Sequence, residues 1–403
     1  MEQNDNAIMI KNILTLRYDP SIQIQRNKFS SSDFQPVINQ NYLENIENII
    51  ISTIKKHVTE NRITVALSGG VDSTLVLALL RKALPEIKID AISVKFIDSV
   101  DETDIASSIS RKFNADHHII TINNFLEELP KAISIIKMPF WDTHWYHLVK
   151  IARQFSKSLI SGDGGDELFG GYTFRYEKFL SNVKPGMKPK EKVKLYLDCH
   201  QRDWVPDQEK LFEDRVNFSW DEIYSKLTPY FDNSLTDLDQ VFLADINGKL
   251  LFNWTPLNTA FHKHFDLNAI IPLLSEELIK YSLHIKNSLK YNQESNVGKL
   301  PLRKILEKYI DPNLITSNKQ GFSVNTINLW KIYGKKLCRH YLKDARIVQD
   351  KWINEDWIKN HLEKIDQNID VRYVNKFLGL LAFEIWYRLF ITKEMKPDTT
   401  LQV

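Results

Sequence analysis

Cysteine is nearly absent: Cys199 and Cys338 are the only 2 in 403 residues. Two distant thiols make neither a CxxC redox pair nor a thiolate zinc site, and they suggest no disulfide scaffold. A bulk charge of one sign is missing too. Lys and Arg number 53 against 51 Asp and Glu, a net +2, so no electrostatic footprint points to nucleic acid or to a membrane surface. No apolar run is long enough to cross a bilayer. FLGLLAFEIWYRLFI, from Phe377 to Ile391, carries Glu384 and Arg388 and reads as a buried C-terminal helix. The start, MEQNDNAIMIKN, is polar and acidic where a secretory leader would be basic and then apolar, so a cytoplasmic protein is expected. Internal repeats and low-complexity runs are also missing. What remains, 43% apolar and 26% charged residues, is an ordinary globular composition, and the length predicts two or three domains.

The first forty residues, rich in Asn, Gln and Ser, are expected to be weakly ordered. Tyr42 to His57 has the apolar spacing of a helix. Strand and helix then alternate. Strands are predicted over 63–68, 89–96, 117–122 and 158–161, and helices over 72–83, 101–113, 124–136 and 144–155. That alternation predicts an α/β fold, a parallel sheet with helices on both faces. Beyond Tyr176 strand signals fade and aromatic-rich helical patterns dominate. The expected organisation is an N-terminal extension with a leading helix (1–58), an α/β nucleotide-binding domain (59–184), and a helical C-terminal part (185–403).

The first strand runs into VALSGGVDST, Val65 to Thr74. In a doubly wound sheet, ligands bind in the crevice at the carboxyl ends of the strands. Gly69 and Gly70 allow a sharp turn, and the N–H groups of the next helix then face an anion. A Walker loop would need a lysine here and a dinucleotide fingerprint would need GxGxxG; neither is present. Instead Asp72 stands beside Ser73 and Thr74. An acid next to phosphate calls for a cation between them, most simply Mg²⁺. The bland alternative is a glycine turn whose Asp72 caps its helix. A second stretch, LISGDGGDELFGGY from Leu159 to Tyr172, gathers Asp163, Asp166 and Glu167 among five glycines, and clustered acids repel unless they share a cation or a proton.

SGGVDS resembles the SGGxDS pyrophosphate loop of the ATP pyrophosphatase, or PP-loop, superfamily. SGDGGDELFGGY is similar, nearly residue for residue, to the signature of the synthetase domain of the asparagine synthetase family. MPFWDTHWYHLVKIAR (138–153), GKLPLRKIL (298–306) and DPNLITSNKQGFSVNTINLW (311–330) resemble further family blocks, and the likeness runs from about Arg62 to Ile391. It implies a doubly wound sheet of the five-stranded, adenine nucleotide alpha hydrolase-like type with a mostly helical C-terminal part. It also implies an AMP-forming carbon–nitrogen ligase that uses ATP and Mg²⁺. In that scheme Ser68, Gly69, Gly70, Ser73 and Lys319 hold pyrophosphate, and Lys319 also stabilises the adenylation transition state. Asp72 and Asp166 hold the metal, backbone near Leu67, Val94 and Gly162 holds adenosine, and Asp163 faces the acyl intermediate.

Two departures matter. Full-length family members open with a catalytic cysteine of a glutaminase domain, whereas residue 2 here is Glu2, and NILTLRYDPS resembles the tail of the linker after that domain. Nitrogen is therefore expected as free ammonia, from a separate glutaminase subunit, or as an amine. Second, the stretch LNTAFHKHFDLNAIIPLLS (257–275) places Asn268, Ile270 and Ser275 where the family has Glu, Arg and Asp. Aspartate is the default carboxylate; a sugar acid, a peptide or another secondary-metabolite carboxylate, as in the beta-lactam synthetases, stays open. So does a different class, an inactive nucleotide-binding subunit. A tRNA sulfur transferase would need reactive cysteines and a basic face, and the chain offers neither.

Overall fold

A computed structural model describes residues 2–24, 28–37, 40–96, 103–200, 204–314 and 324–402. Its centre is a five-stranded sheet, every strand parallel to its neighbours, in the order β3-β2-β1-β4-β5. The strands are β1 (Arg62–Ala66), β2 (Lys88–Phe96), β3 (Asp116–Ile122), β4 (Ser158–Ile160) and β5 (Asn268–Ile270). β1 shows why helices must cover both faces. Ile63 and Val65 pack with helices α2 (Tyr42–His57) and α3 (Val71–Ala83), while Ala66 joins a separate core with Ile92, Leu159 and helices α5 (Leu129–Ile136) and α6 (His144–Ala152). Alternate residues go to opposite faces, and both faces are dry. Helix α4 (Thr103–Lys112) packs against β2 and β3.

Four strands lie within about two residues of the predicted ones. The fifth lies far downstream, in the part expected to be helical. Asn268 N–H donates to the Lys157 carbonyl at 2.8 Å, and Ser161 N–H donates to the Ile270 carbonyl at 3.1 Å. A three-residue strand is too short to show a period, so its pairing with β4 defines it. Its hydrogen bond to Ser161 sets the direction in which the chain leaves β4 toward Gly162.

The expectation of a weakly ordered N-terminus is corrected. Glu2–Leu16 forms helix α1, with Ile10, Ile13, Leu14 and Leu16 buried. Leu14 packs on Gly379 of the C-terminal helix Val371–Phe390, and its carbonyl accepts from Lys376 Nζ and, at 3.2 Å, from Gln208 Nε2. Just past α1, Arg17 donates to Asp142 at 2.6 Å, and Asp142 also bonds His144 at 2.7 Å. The Asn, Gln and Ser content averaged over forty residues hides the short apolar run IMIKNILTL.

The helix Thr255–His264 leads into β5 and carries the buried His262, whose Nδ1–H donates to the Leu267 carbonyl at 3.0 Å. Burial pushes its pKa down to about 4, and the Leu267 hydrogen bond offsets only part of that. The unfolded histidine takes up a proton near pH 6.5, while the folded one stays neutral until about pH 4. Stability from this residue is therefore complete above pH 6.5 and is lost as pH falls through that window. His262→Gln should lose less stability than the wild type on going from pH 7 to pH 5. Urea midpoints at the two pH values check this, and an equal drop in both proteins would contradict it.

Candidate active site

The turn after β1 is drawn tight. Leu67 N–H donates to the Ile92 carbonyl at 2.9 Å, and the Leu67 carbonyl accepts from Ser93 Oγ at 2.7 Å. Ser93 Oγ in turn lies 2.8 Å from His117 Nε2, and His117 Nδ1 lies 2.8 Å from Ser107 Oγ. Because Ser93 donates to Leu67, it accepts from His117, which carries its proton on Nε2 and accepts from Ser107. Burial, then the neighbouring His118, holds the His117 pKa below the ordinary histidine value, in keeping with that neutral ring. His117 was not anticipated from the sequence; nothing in the strand HHIITI marks it as a prop for the loop.

Gly69 has φ +75°, the left-handed region that favours glycine. Gly70 caps α3 and brings no side-chain acceptor to it. The first turn of this thirteen-residue helix thus keeps donors for an anion, and the helix dipole adds to them. Ser73 Oγ lies 3.1 Å from Ser68 Oγ and 3.2 Å from Ser68 N, which folds the two hydroxyls together at the turn. Val94 lies near the carboxyl end of the adjacent strand β2.

Asp72 does not use its carboxylate as a helix cap. It is 4% exposed, and Oδ2 lies 2.5 Å from Lys299 Nζ. The same ammonium lies 2.7 Å from Asp166 Oδ1, in the first turn of α7 (Gly165–Phe169). The approach of the acidic turn needs glycine. A Cβ on Gly162 would lie 2.6 Å from the Asp72 carbonyl carbon and the Ser73 nitrogen, and one on Gly165 would lie 2.5 Å from Asp72 Oδ1. Asp163 follows Gly162 and is half-buried. Burial pulls the Lys299 ammonium pKa down, but Asp72 and Asp166 more than reverse this and hold it above the ordinary lysine value. Glu167, beside Asp166, is pushed up to about 7, first by burial and then by the Asp166 charge, against a Tyr172 hydroxyl that donates to it at 2.5 Å.

The fold therefore brings Leu67, Ser68, Gly69, Gly70, Asp72, Ser73, Gly162, Asp163 and Asp166 to one end of the sheet. Lys319 and the Gln320-Gly321-Phe322 that follows it lie outside the described residues. Lys299 is the residue whose role the sequence reading missed, although it stands in the block GKLPLRKIL. Of the three departing positions, Asn268 is exposed at the sheet edge, Ile270 is buried, and Ser275 Oγ accepts from Leu278 N–H at 3.3 Å to cap the next helix.

Among the described residues no group of three or more His, Cys, Asp or Glu could hold a metal ion by itself. Two carboxylates that already share one cation do fit a divalent ion that takes its remaining oxygens from a phosphate ligand and water. Among the described residues no helix is long and apolar enough to cross a membrane.

The family model described as asparagine synthase matches residues 46–388. Glutamine-hydrolyzing asparagine synthetase 1 of Bacillus subtilis (strain 168) is 23% identical over 95% of this chain and 65% of its own length. A putative glutamine-hydrolyzing asparagine synthetase of Mycobacterium bovis is 27% identical over 92% of this chain and 61% of its own. The chain thus spans less than two thirds of these relatives. Among solved structures, NMN synthetase from Francisella tularensis aligns over 50% of this chain and 90% of its own at 16% identity, with a TM-score of 0.25. The extent of the family match, across both the sheet and the helical part, makes this chain a member of the asparagine synthase family.

Proposed function

We propose that the chain is an ATP-dependent, AMP-forming amide ligase. It adenylates a carboxylate and passes the acyl group to ammonia or an amine. The observation that supports this most is the meeting of the Ser68–Ser73 loop, two acids and the Lys299 ammonium at the carboxyl end of β1 and β4. Backbone N–H groups of the loop and the start of α3 bind the β- and γ-phosphates, with Ser68 and Ser73 hydroxyls beside them. Backbone at Leu67, Val94 and Gly162 borders the adenosine. Lys299 and Lys319 supply positive charge where the leaving pyrophosphate gains negative charge. Asp163 lies on the acyl side and orients the substrate.

In the first step a carboxylate oxygen bonds to the α-phosphorus and the bond to the β-phosphate oxygen breaks, releasing pyrophosphate. In the second, the nitrogen lone pair attacks the acyl carbon, AMP leaves with its oxygen, and the nitrogen loses a proton. A divalent ion held by Asp72 and Asp166 would neutralise phosphate charge. Splitting the reaction turns a carboxylate, a poor electrophile, into a reactive mixed anhydride.

Aspartate with ammonia is the default pair, and ammonia or an amine could reach the site from solution or from a separate glutaminase subunit. A second reading, a carboxylate other than aspartate, is favoured by Asn268, Ile270 and Ser275, none of which carries the charge found in the family at that position. ATP–pyrophosphate exchange, screened over carboxylates with ammonium withheld, tests both. Exchange with aspartate supports the first reading and exchange with another acid alone supports the second. No exchange with any carboxylate, despite tight ATP binding, would overturn both in favour of a nucleotide-binding subunit.

A further inference from the structure

Lys299 is held in its place at a cost. It is 7% exposed, and its backbone sits at φ +57°, a left-handed region that is strained for a non-glycine residue. Its N–H is fixed on the Phe169 carbonyl at 2.8 Å, and it caps the helix Leu300–Leu306. Burying an ammonium is unfavourable unless its partners are close and well placed. Here they are: Asp72 from the start of α3 at 2.5 Å, and Asp166 from the start of α7 at 2.7 Å. These are the same two carboxylates that would hold a divalent ion. An ammonium and a divalent cation crowded between them would repel strongly in so buried a place.

We propose that Lys299 is a stand-in cation. In the nucleotide-free protein it holds Asp72 and Asp166 together and keeps divalent ions out. When phosphate oxygens arrive at the Ser68–Ser73 loop, they offer the ammonium a new anionic partner and release the two acids. Metal binding is thereby tied to nucleotide binding. Lys299 stays protonated throughout, and no bond is made or broken. In this role it is a positioning residue. The inference rests on the reading of the loop as a nucleotide phosphate site.

Mn²⁺ binding to the whole chain, followed by the paramagnetic resonance of free Mn²⁺, tests the idea without turnover. The wild type should bind Mn²⁺ weakly alone and about tenfold or more tighter with α,β-methylene-ATP. Lys299→Met should bind Mn²⁺ without nucleotide about tenfold or more tighter than the wild type, and Lys299→Arg should restore the exclusion. Equal Mn²⁺ affinity in wild type and a folded Lys299→Met would overturn the proposal. If Lys299→Met does not fold, thermal melts of the wild type decide: Mn²⁺ alone should leave the midpoint unchanged, and an upward shift by Mn²⁺ alone equal to that seen with nucleotide counts against the proposal. Nucleotide binding without metal is measured in parallel. If it is absent, the loop reading fails together with the proposal; if it is present while Lys299→Met gains nothing, only the stand-in role fails.

Discussion

Asp72→Asn is expected to reduce ATP–pyrophosphate exchange by about 10²–10³-fold, the usual scale for removing one preorganised charged group from a transition state. The same change should destabilise the chain. Asp72 is 4% exposed and bonded to an ammonium that is itself buried, and removing one partner of a buried pair costs about 3–5 kcal/mol. Asp166 still faces Lys299 after the substitution, so the lower end of that range is expected. Exchange assays and urea midpoints read the two effects separately. Exchange within about twofold of the wild type would remove Asp72 from the phosphate site. An unchanged midpoint would mean that the ion triad contributes nothing to the fold.

The other large effect lies far from this site. Glu384 is fully buried in the helix Val371–Phe390. Its carboxylate accepts from the backbone N–H groups of Arg346 at 2.9 Å and Ile347 at 3.0 Å, and from Arg388 Nε at 2.6 Å. It thus caps the short helix Arg346–Gln349 from a neighbouring element. Glu384→Ala leaves two N–H groups and a guanidinium without this acceptor, at an expected cost of about 3–5 kcal/mol. Trp352 packs on Phe383 and Tyr387, one residue before Glu384 and three after it, so tryptophan fluorescence should follow the urea transition. Exchange per folded molecule should not change. A loss of stability below about 0.5 kcal/mol, the scale of a surface substitution, would show that Glu384 does not tie the two helices together.

Elements built on local rules were legible in advance. β1, the glycine turn and α3 follow from an apolar run, Gly69-Gly70 and a helical repeat, all contiguous in sequence. Burial of the terminal helix follows from its lack of a polar face, and Glu384 within it finds its partners only in the fold. α1 was hidden because a few apolar residues stand among polar ones, and its burial depends on Gly379 at the other end of the chain. β5 has three residues and exists through its pairing with β4. In the site, the acids were legible because acids among glycines are unusual. Lys299 was not, because a lysine near the start of a helix is usually solvated, and what buries this one is the meeting of α3 and α7.

The late arrival of β5 bears on how the protein is made. By the time a ribosome has added Tyr172, the chain holds the glycine loop and both Asp72 and Asp166, but nothing yet pairs with the outer edge of β4 or lies between the two carboxylates. Asn268–Ile270 and Lys299 come about a hundred residues or more later. A nascent chain at that intermediate length carries close acids with no ammonium between them and an open strand edge, which is sticky toward other chains. Until Asn268–Ile270 emerges the outer edge of β4 has no partner, so the interval from Tyr172 to Lys299 is the one in which a chaperone would shield it to most effect.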